Sequence, residues 1–152
     1  MAAEHIPARG LNVPRSVLES LREKGMAGLR PDERRLLPDP VILPLHTQRE
    51  EWAEIFRMHA GMRRATATAS PKTEDAGAAF ERFLLVQSIW DTGMAKEAVR
   101  LRKEHGAPVI VLAGDGHVRG GLGIAHRLRQ LDPGARVLLV APIADPARIA
   151  PG

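Results

Sequence analysis

The stretch that decides the fold reads Val109-Ile-Val-Leu-Ala-Gly-Asp-Gly-His-Val-Arg-Gly-Gly-Leu-Gly-Ile124. Its opening residues form an unbroken apolar run, which is typical of a β-strand that is covered on both faces. A loop with five glycines follows and carries His117, and a helix is predicted to begin near Gly123. Proteins of the α/β class commonly place a ligand-binding side chain just past the carboxyl end of a strand, where glycine lets the backbone approach a ligand closely.

A second apolar segment, near residues 136–141, predicts another strand after a turn at Pro133-Gly134. With the helices, these segments predict an α/β fold that is helix-rich, with a small, mostly parallel sheet whose strands lie near 109–113 and 136–141. A sheet of two strands leaves its edges without backbone partners. We therefore expect the sheet to be completed by strands that this chain does not contain, or by another chain.

Two longer segments have helical periodicity. The first follows the capping-box pattern Thr47-Gln-Arg-Glu50. The second runs from about residue 78 to 104 and is ended by Gly106 and Pro108. The apolar face of the first contains Trp52, Ile55, Phe56, His59 and Met62, and that of the second contains Phe80, Phe83, Leu84, Met94, Ala95, Ala98 and Leu101.

Composition limits the function classes that this 152-residue, single-domain chain can serve. Because it has no cysteine, disulfides, zinc–thiolate sites, iron–sulfur clusters and a cysteine nucleophile are excluded. The net charge of +4 comes mostly from arginines spread over several segments, Arg22 and Arg127 among them. We interpret most of them as solvated helix-surface residues, with an anionic small ligand as the alternative. A nucleic-acid partner is not expected, because basic charge and stacking aromatics are not concentrated together.

No apolar run approaches the roughly 20 residues that span a bilayer, so no transmembrane segment is predicted. The chain starts Met-Ala-Ala-Glu-His-Ile-Pro and lacks the basic and apolar regions of a signal peptide. On these residues alone, the chain is expected to stay in the cytoplasm.

Gln87 and Asp91 are polar residues inside the apolar stripe of the long helix. They are four positions apart, so they lie on one helix face, within about 20° of the centre of the stripe. Leaving a buried carboxylate or amide unpaired costs about 1–3 kcal/mol. The pair is therefore either structural, capping a loop or a sheet end, or it points at the same pocket as the glycine-rich loop.

His117 is the candidate reactive side chain, because it lies where the predicted strand becomes a loop. An imidazole there can ligate a metal or a haem iron, or act as a general acid or base. Alternatively, it only holds the loop through a hydrogen bond to Asp91 or to backbone. These roles are compatible, because a liganding histidine often donates its other nitrogen to a carboxylate. The glycines around it match neither the dinucleotide fingerprint nor a Walker A loop.

The other histidines are weaker candidates. His59 lies on the apolar face of its helix, where a lone histidine is usually a satisfied core residue. His46 and His126 are interpreted as a connector residue and a helix-surface residue. The chain has no His-Glu-x-x-His motif and no nucleophile elbow, so a self-contained zinc site and a serine-centred triad are not expected.

Two motifs together resemble a known family. Gln87-Ser-Ile-Trp-Asp91-Thr-Gly-Met94-Ala95 is followed by Val111-Leu-Ala-Gly-Asp-Gly-His-Val118 and then by Gly123-Ile124. With Gly10-Leu-Asn-Val-Pro-Arg15 and Lys24-Gly-Met-Ala-Gly-Leu29, this combination is similar to the ChaN-like haem-binding uptake family of the Tiki superfamily. The resemblance covers about residues 10–142, between a flexible lead-in over 1–9 and a flexible tail over 143–152.

The resemblance implies a mixed α/β domain that binds haem or takes part in iron uptake. Such proteins are often exported, membrane-anchored bacterial lipoproteins, so the localisation stays open. The alternatives are a metal-dependent hydrolase of the same superfamily and a truncated remnant without activity, and we favour a binding protein over an enzyme. The expected partners are haem or a small anionic ligand, a divalent metal as a further candidate cofactor, and a homodimer or another chain that supplies the missing strands.

Of the candidate residues, Gln87, Asp91, Met94, Gly114, His117 and Gly123 match the family pattern, and the haem-binding hypothesis assigns roles to these and to further residues. His117 is the expected axial or metal ligand, and Asp91 orients it. Gln87 is expected to line the pocket, and Arg119 to pair with a haem propionate. The other expected cofactor-binding residues are Met94, Gly114, Gly116 and His59.

The chain departs from the family pattern in two respects. The family's N-terminal strand and Gly-Glu-x-His motif are absent, so we expect residues 10–142 to be the C-terminal portion of such a domain. In the family, tyrosine is a ligand of the haem iron, and this chain has no tyrosine. A bound haem would therefore be ligated by His117 or His59, with Met94 as the third candidate.

Overall fold

The computed structural model describes residues 8–66, 75–106 and 108–140, with the side chains of 59–66 outside the description. Within these ranges the chain forms α1 (Arg15–Lys24), α2 (Pro31–Arg34), α3 (His46–Thr66), α4 (Ala76–His105), α5 (Asp115–Val118) and α6 (Ile124–Leu131), with 3₁₀ turns at Met26–Gly28 and Arg119–Gly121. None of the helices in the described ranges combines the length and the apolar character needed to cross a membrane.

Helix α4 is the longest element and the centre of the packing. Asp75 caps its first turn by accepting a hydrogen bond from the backbone N–H of Gly77 at 3.0 Å. The helix ends at Gly106, whose φ of 62° is a left-handed conformation that glycine adopts without steric cost. It packs against both α3 and α6. The predicted long helix is thus confirmed, with both ends slightly further out than the apolar pattern indicated.

Two apolar clusters hold α1, the segment around α2 and α6 on α4. The first joins α1 and the segment around α2 to α4, and the second joins the start of α6 to α4. Full burial of one large aliphatic side chain contributes about 1.5–3 kcal/mol, so these clusters fix the helix positions around the site. Their buried members are Val13, Val17, Leu18, Leu21, Leu29, Leu37, Val86 and Ile89 in the first, and Met94, Ala95 and Ile124 in the second.

The predicted sheet is not formed by the described residues, and the α/β prediction is wrong in this respect. Neither 109–113 nor 136–140 is a strand, and no other residue in the described ranges is one. No backbone hydrogen bond joins the two segments in the described part of the chain. The strands predicted near 109–113 and 136–141 are therefore not present: residues 109–113 and 136–140 have no strand structure. Residue 141 lies outside the described part of the chain. The helix-rich part of the prediction is confirmed.

The exposure of residues 109–113 explains why the apolar run there is not a covered strand. Val111 is half-buried and packs on the cluster of Met94, Ala95 and Ile124, but its neighbours Ile110 and Leu112 are 85% and 91% exposed. One side of the segment therefore lies on the helices, and the described residues do not cover the other. A ladder also needs a neighbouring strand to pair its N–H and C=O groups, so an apolar run alone does not produce a sheet.

Candidate functional site

The glycine-rich loop places His117 beside the middle of α4. Gly114 has extended backbone angles (φ −64°, ψ 152°) and directly precedes α5, which is a single helical turn. The backbone N–H of His117 donates to the carbonyl oxygen of Gly114 at 2.9 Å and closes that turn. The imidazole then contacts Asp91 and Trp90 on α4. The structure thus brings together His117 and Asp91, as the sequence predicted.

Asp91 holds His117 by a direct hydrogen bond between side chains. Nδ1 of His117 lies 2.6 Å from Oδ1 of Asp91. The Asp91 side chain is completely buried, whereas 21% of the His117 side chain is exposed. A carboxylate can only accept, so Nδ1–H is the donor of this bond, and in the corresponding tautomer of the uncharged ring the lone pair is on Nε2. The pair therefore places Nε2, a nitrogen that can ligate a metal, on a side chain that is partly exposed.

Gln48 and Arg127 hold the second oxygen of Asp91. Nε2 of Gln48 donates to Oδ2 at 3.2 Å, and Nη1 of Arg127 lies 3.5 Å from the same oxygen. Nη1 of Arg127 also donates to Oε1 of Gln48 at 2.5 Å. All three side chains are buried. A buried carboxylate is costly unless a cation and hydrogen bonds compensate it, and this network supplies both.

Arg127 also ties the site to two loops. Its Nη1 donates to the carbonyl oxygen of Leu122 at 2.6 Å, and its Nη2 donates to that of Ile42 at 3.3 Å. Burial lowers the pKa of Arg127, and the charge of Asp91 only partly offsets this effect. Arginine keeps its charge in proteins even so, so the buried ion pair persists and connects α3, α4, α6 and their loops.

Gly123 allows the loop to fold closely onto the backbone of His117. A Cβ atom at Gly123 would lie 2.1 Å from the carbonyl oxygen of His117 and 2.7 Å from its carbonyl carbon. Real Cβ atoms essentially never approach other atoms this closely. Any other residue would push the two backbone segments apart, so this position accepts only glycine without a shift of the site.

Trp90 connects His117 to a cleft bordered by α1, α3 and α4. The rings of Trp90 and His117 meet edge to face, with centroids 5.8 Å apart and planes at 80°. Trp90 also lines a cleft of about 590 Å³, together with Phe56, Phe83 and Gln87. We call it the α1–α3–α4 cleft. Its volume lies in the roughly 300–1,000 Å³ range of ligand pockets. Gln87 lines this cleft, but the described residues that line it include none from the glycine-rich loop with which Gln87 was expected to share a pocket.

Two candidate iron ligands are placed differently from His117. Met94 is 5% exposed and packs with Ala95 and Ile124 in the core. Its sulfur would have to leave that core to meet a ligand. The side chain of His59 lies outside the described part of the chain, although its backbone belongs to α3. Of the two candidates whose side chains are described, His117 is the one that is partly exposed.

Arg119 lies in the same loop as His117 but is engaged with a neighbour. Its Nε donates to Oδ2 of Asp115 at 2.9 Å, and this hydrogen bond raises the pKa of Arg119. Both side chains are more than half exposed. Gly114 and Gly116 contribute the turn that carries His117. An anionic group that pairs with Arg119 would have to compete with Asp115.

Gln48 and Arg127 are site residues that the sequence interpretation did not identify. In the capping-box pattern Gln48 is only a spacer, but α3 already begins at His46 and Gln48 is buried. Arg127 is an exception to the interpretation that most arginines are solvated surface residues, because its side chain is completely buried. A signal was present: Arg127 lies three positions after Ile124 and four before Leu131, within the apolar stripe of α6.

The donor set around His117 is small. Within the described ranges, no group of three or more His, Cys, Asp or Glu side chains is arranged to hold a metal ion. Both oxygens of Asp91 are already engaged, by His117 on one side and by Gln48 and Arg127 on the other.

Comparison with known protein families gives a match over most of the chain. A family model described as haem-binding uptake, Tiki superfamily, ChaN matches residues 1–128 of the chain. The matched region contains the whole network of His117, Asp91, Gln48 and Arg127. No curated protein and no solved structure matches the chain.

Proposed function

The chain belongs to the ChaN family of haem-binding uptake proteins in the Tiki superfamily, and from this premise we propose that it binds haem through Nε2 of His117. The observation that carries the proposal is the 2.6 Å contact between Nδ1 of His117 and Oδ1 of Asp91. A metal-ligating histidine typically gives its other ring N–H to a carboxylate or a carbonyl. That bond fixes the tautomer and makes the free nitrogen a better ligand.

Haem suits the donor set of this site. The porphyrin contributes four nitrogens to the iron, so a single axial side chain is enough to hold it. His117 offers one open nitrogen, backed by the ring of Trp90 and by a buried carboxylate. The absence of tyrosine from the chain leaves imidazole as the axial donor that we assign.

The metal-dependent hydrolase finds less support. Catalytic zinc sites use three protein ligands and keep a further position for water. At this site Asp91 is buried and engaged on both oxygens, so His117 supplies the open donor by itself. We therefore propose a binding protein rather than an enzyme.

A role in haem or iron uptake follows from membership of the family and is part of the proposal. The finer expectations stay predictions. They are that the chain corresponds to the C-terminal portion of the family's domain and that it pairs with a second copy or another chain. The exposed side chains of Ile110 and Leu112 give such a partner an apolar surface to cover.

Titration of ferric haem into the purified chain tests the proposal. We expect a shifted Soret band for the wild type and for the His126→Ala control, and loss of the shift in His117→Ala. Circular dichroism verifies that each variant is folded. A shift that survives in His117→Ala and disappears in His59→Ala would assign the ligand to His59. No shift in the wild type would contradict haem binding and favour the remnant.

A further inference from the structure

The aromatic side chains of this chain are concentrated beside the α1–α3–α4 cleft. The chain has two tryptophans and three phenylalanines, and all of them are on α3 or α4. The rings of Phe56 and Phe83 lie 5.4 Å apart, and Trp52 meets Phe83 edge to face at 6.2 Å. Phe56, Phe83 and Trp90 also line the cleft. A wall of several rings favours a ligand that is itself flat and aromatic.

Two arginines from different helices border the same cleft. Arg22 of α1 is exposed, and its guanidinium lies 5.9 Å from the centroid of the Trp90 ring. Arg22 forms no ion pair with another described residue, in contrast to Arg15 on the same helix, which pairs with Glu19 at 2.7 Å. Arg82 of α4 is half-buried and also lines the cleft. Guanidinium groups bind carboxylates with two parallel hydrogen bonds, so this border selects for acidic ligands.

We propose that the α1–α3–α4 cleft is a subsite for the acidic edge of a planar aromatic ligand, with Arg22 and Arg82 binding its carboxylates against the aromatic wall. The inference rests on the proposed function, because haem is such a ligand and carries two propionates. Trp90 is common to both parts of the site, since it contacts His117 and lines the cleft. Arg119, the propionate partner expected from the sequence, is bonded to Asp115 and is not among the described residues that line this cleft.

The test measures the contribution of the ligand's carboxylates to binding separately from that of its iron. Iron-free protoporphyrin IX cannot be ligated through iron, and its dimethyl ester lacks the negative charges. Binding of both is measured by porphyrin fluorescence in the same mild detergent, beside the ferric haem titration. The double variant Arg22→Gln/Arg82→Gln is compared with Arg15→Gln/Arg102→Gln, which removes two positive charges from the same two helices. We expect protoporphyrin IX to bind about tenfold or more tightly than the ester, and only the first double variant to abolish the difference.

The outcomes distinguish the subsite from the iron ligand. Equal binding of acid and ester, or equal weakening by the two double variants, would overturn the subsite even if His117 ligates haem. Arginine-dependent binding of protoporphyrin IX without any Soret shift that depends on His117 would support the subsite and overturn the proposed iron ligand. Failure of the wild type to bind any porphyrin would overturn both.

Discussion

Nδ1 of His117 lies 2.6 Å from Oδ1 of Asp91, a carboxylate that is completely buried in the middle of α4. The other oxygen of Asp91 is held by Gln48 from α3 and by Arg127 from α6. The direction in which His117 presents Nε2 is therefore set by three helices and not by the loop alone. This is the arrangement expected of a side chain that must hold one orientation for a ligand.

The first prediction concerns the charge of Asp91. Asp91→Asn keeps the size of the side chain but removes the negative charge that supports His117 as a ligand. We expect haem affinity to fall about 10- to 100-fold, measured as the Kd from absorbance titration. The matched control is Asp115→Asn in the same loop, which should leave the affinity unchanged. Equal affinities for Asp91→Asn and the wild type would show that Asp91 does not support the ligand.

The second prediction concerns the buried ion pair. Arg127→Met fills the same space but leaves Asp91 buried without its cation, and breaking such a pair typically costs about 3–5 kcal/mol. We expect a loss of this size in the free energy of urea unfolding. Arg129→Met on the same helix is the control, because Arg129 is exposed and its loss should change stability by less than about 0.5 kcal/mol. Similar costs for the two variants would contradict the network.

The third prediction concerns the close approach at Gly123. Gly123→Ala puts a methyl group 2.1 Å from the carbonyl oxygen of His117, so the loop must shift. We expect a destabilisation of about 1–3 kcal/mol, as for an overpacked core, together with weaker haem binding. Gly116→Ala is the control, since its Cβ would have no neighbour within 4 Å. A Gly123→Ala variant with wild-type stability would mean that the loop lies further from His117 than described.

The fourth prediction tests the corrected fold. Ile110 and Leu112 are 85% and 91% exposed, so replacing either with alanine should change the free energy of unfolding by less than about 0.5 kcal/mol. In a strand covered on both faces, each change would cost about 2–5 kcal/mol. Ile89→Ala, at a completely buried position, should show that larger cost. A large loss at Ile110 or Leu112 would favour the covered strand.

The long helices could be predicted from the sequence because their signals are local. The apolar stripe of α4 and the glycine after its last residue are visible in the sequence, and α4 extends only two residues before and one residue after the predicted limits. The pairing of Asp91 with His117 was also accessible, because an acidic residue within an apolar stripe needs a buried partner. The glycine-rich segment then offered the nearest candidate.

The sheet and the rest of the network could not be predicted for a different reason. Whether 109–113 becomes a strand depends on a neighbour that pairs with its backbone, and the segment's own residues do not encode that neighbour. Gln48 and Arg127 lie far apart in sequence and meet only when α3 and α6 pack near Asp91. Arginine is usually a surface residue, so nothing in its residue type distinguished the buried Arg127 from the exposed arginines of the chain.

The absorption spectrum of ferric haem bound to His117→Gly, recorded without and with added imidazole, tests the central claim most directly. We expect the variant to lose the Soret position of the wild type. Added imidazole should occupy the space left by the His117 side chain and restore that position. The spectrum of free haem with imidazole is the reference for haem that is not bound to the protein. A wild-type spectrum from His117→Gly in the absence of imidazole would contradict the assignment of His117 as the ligand of the haem iron.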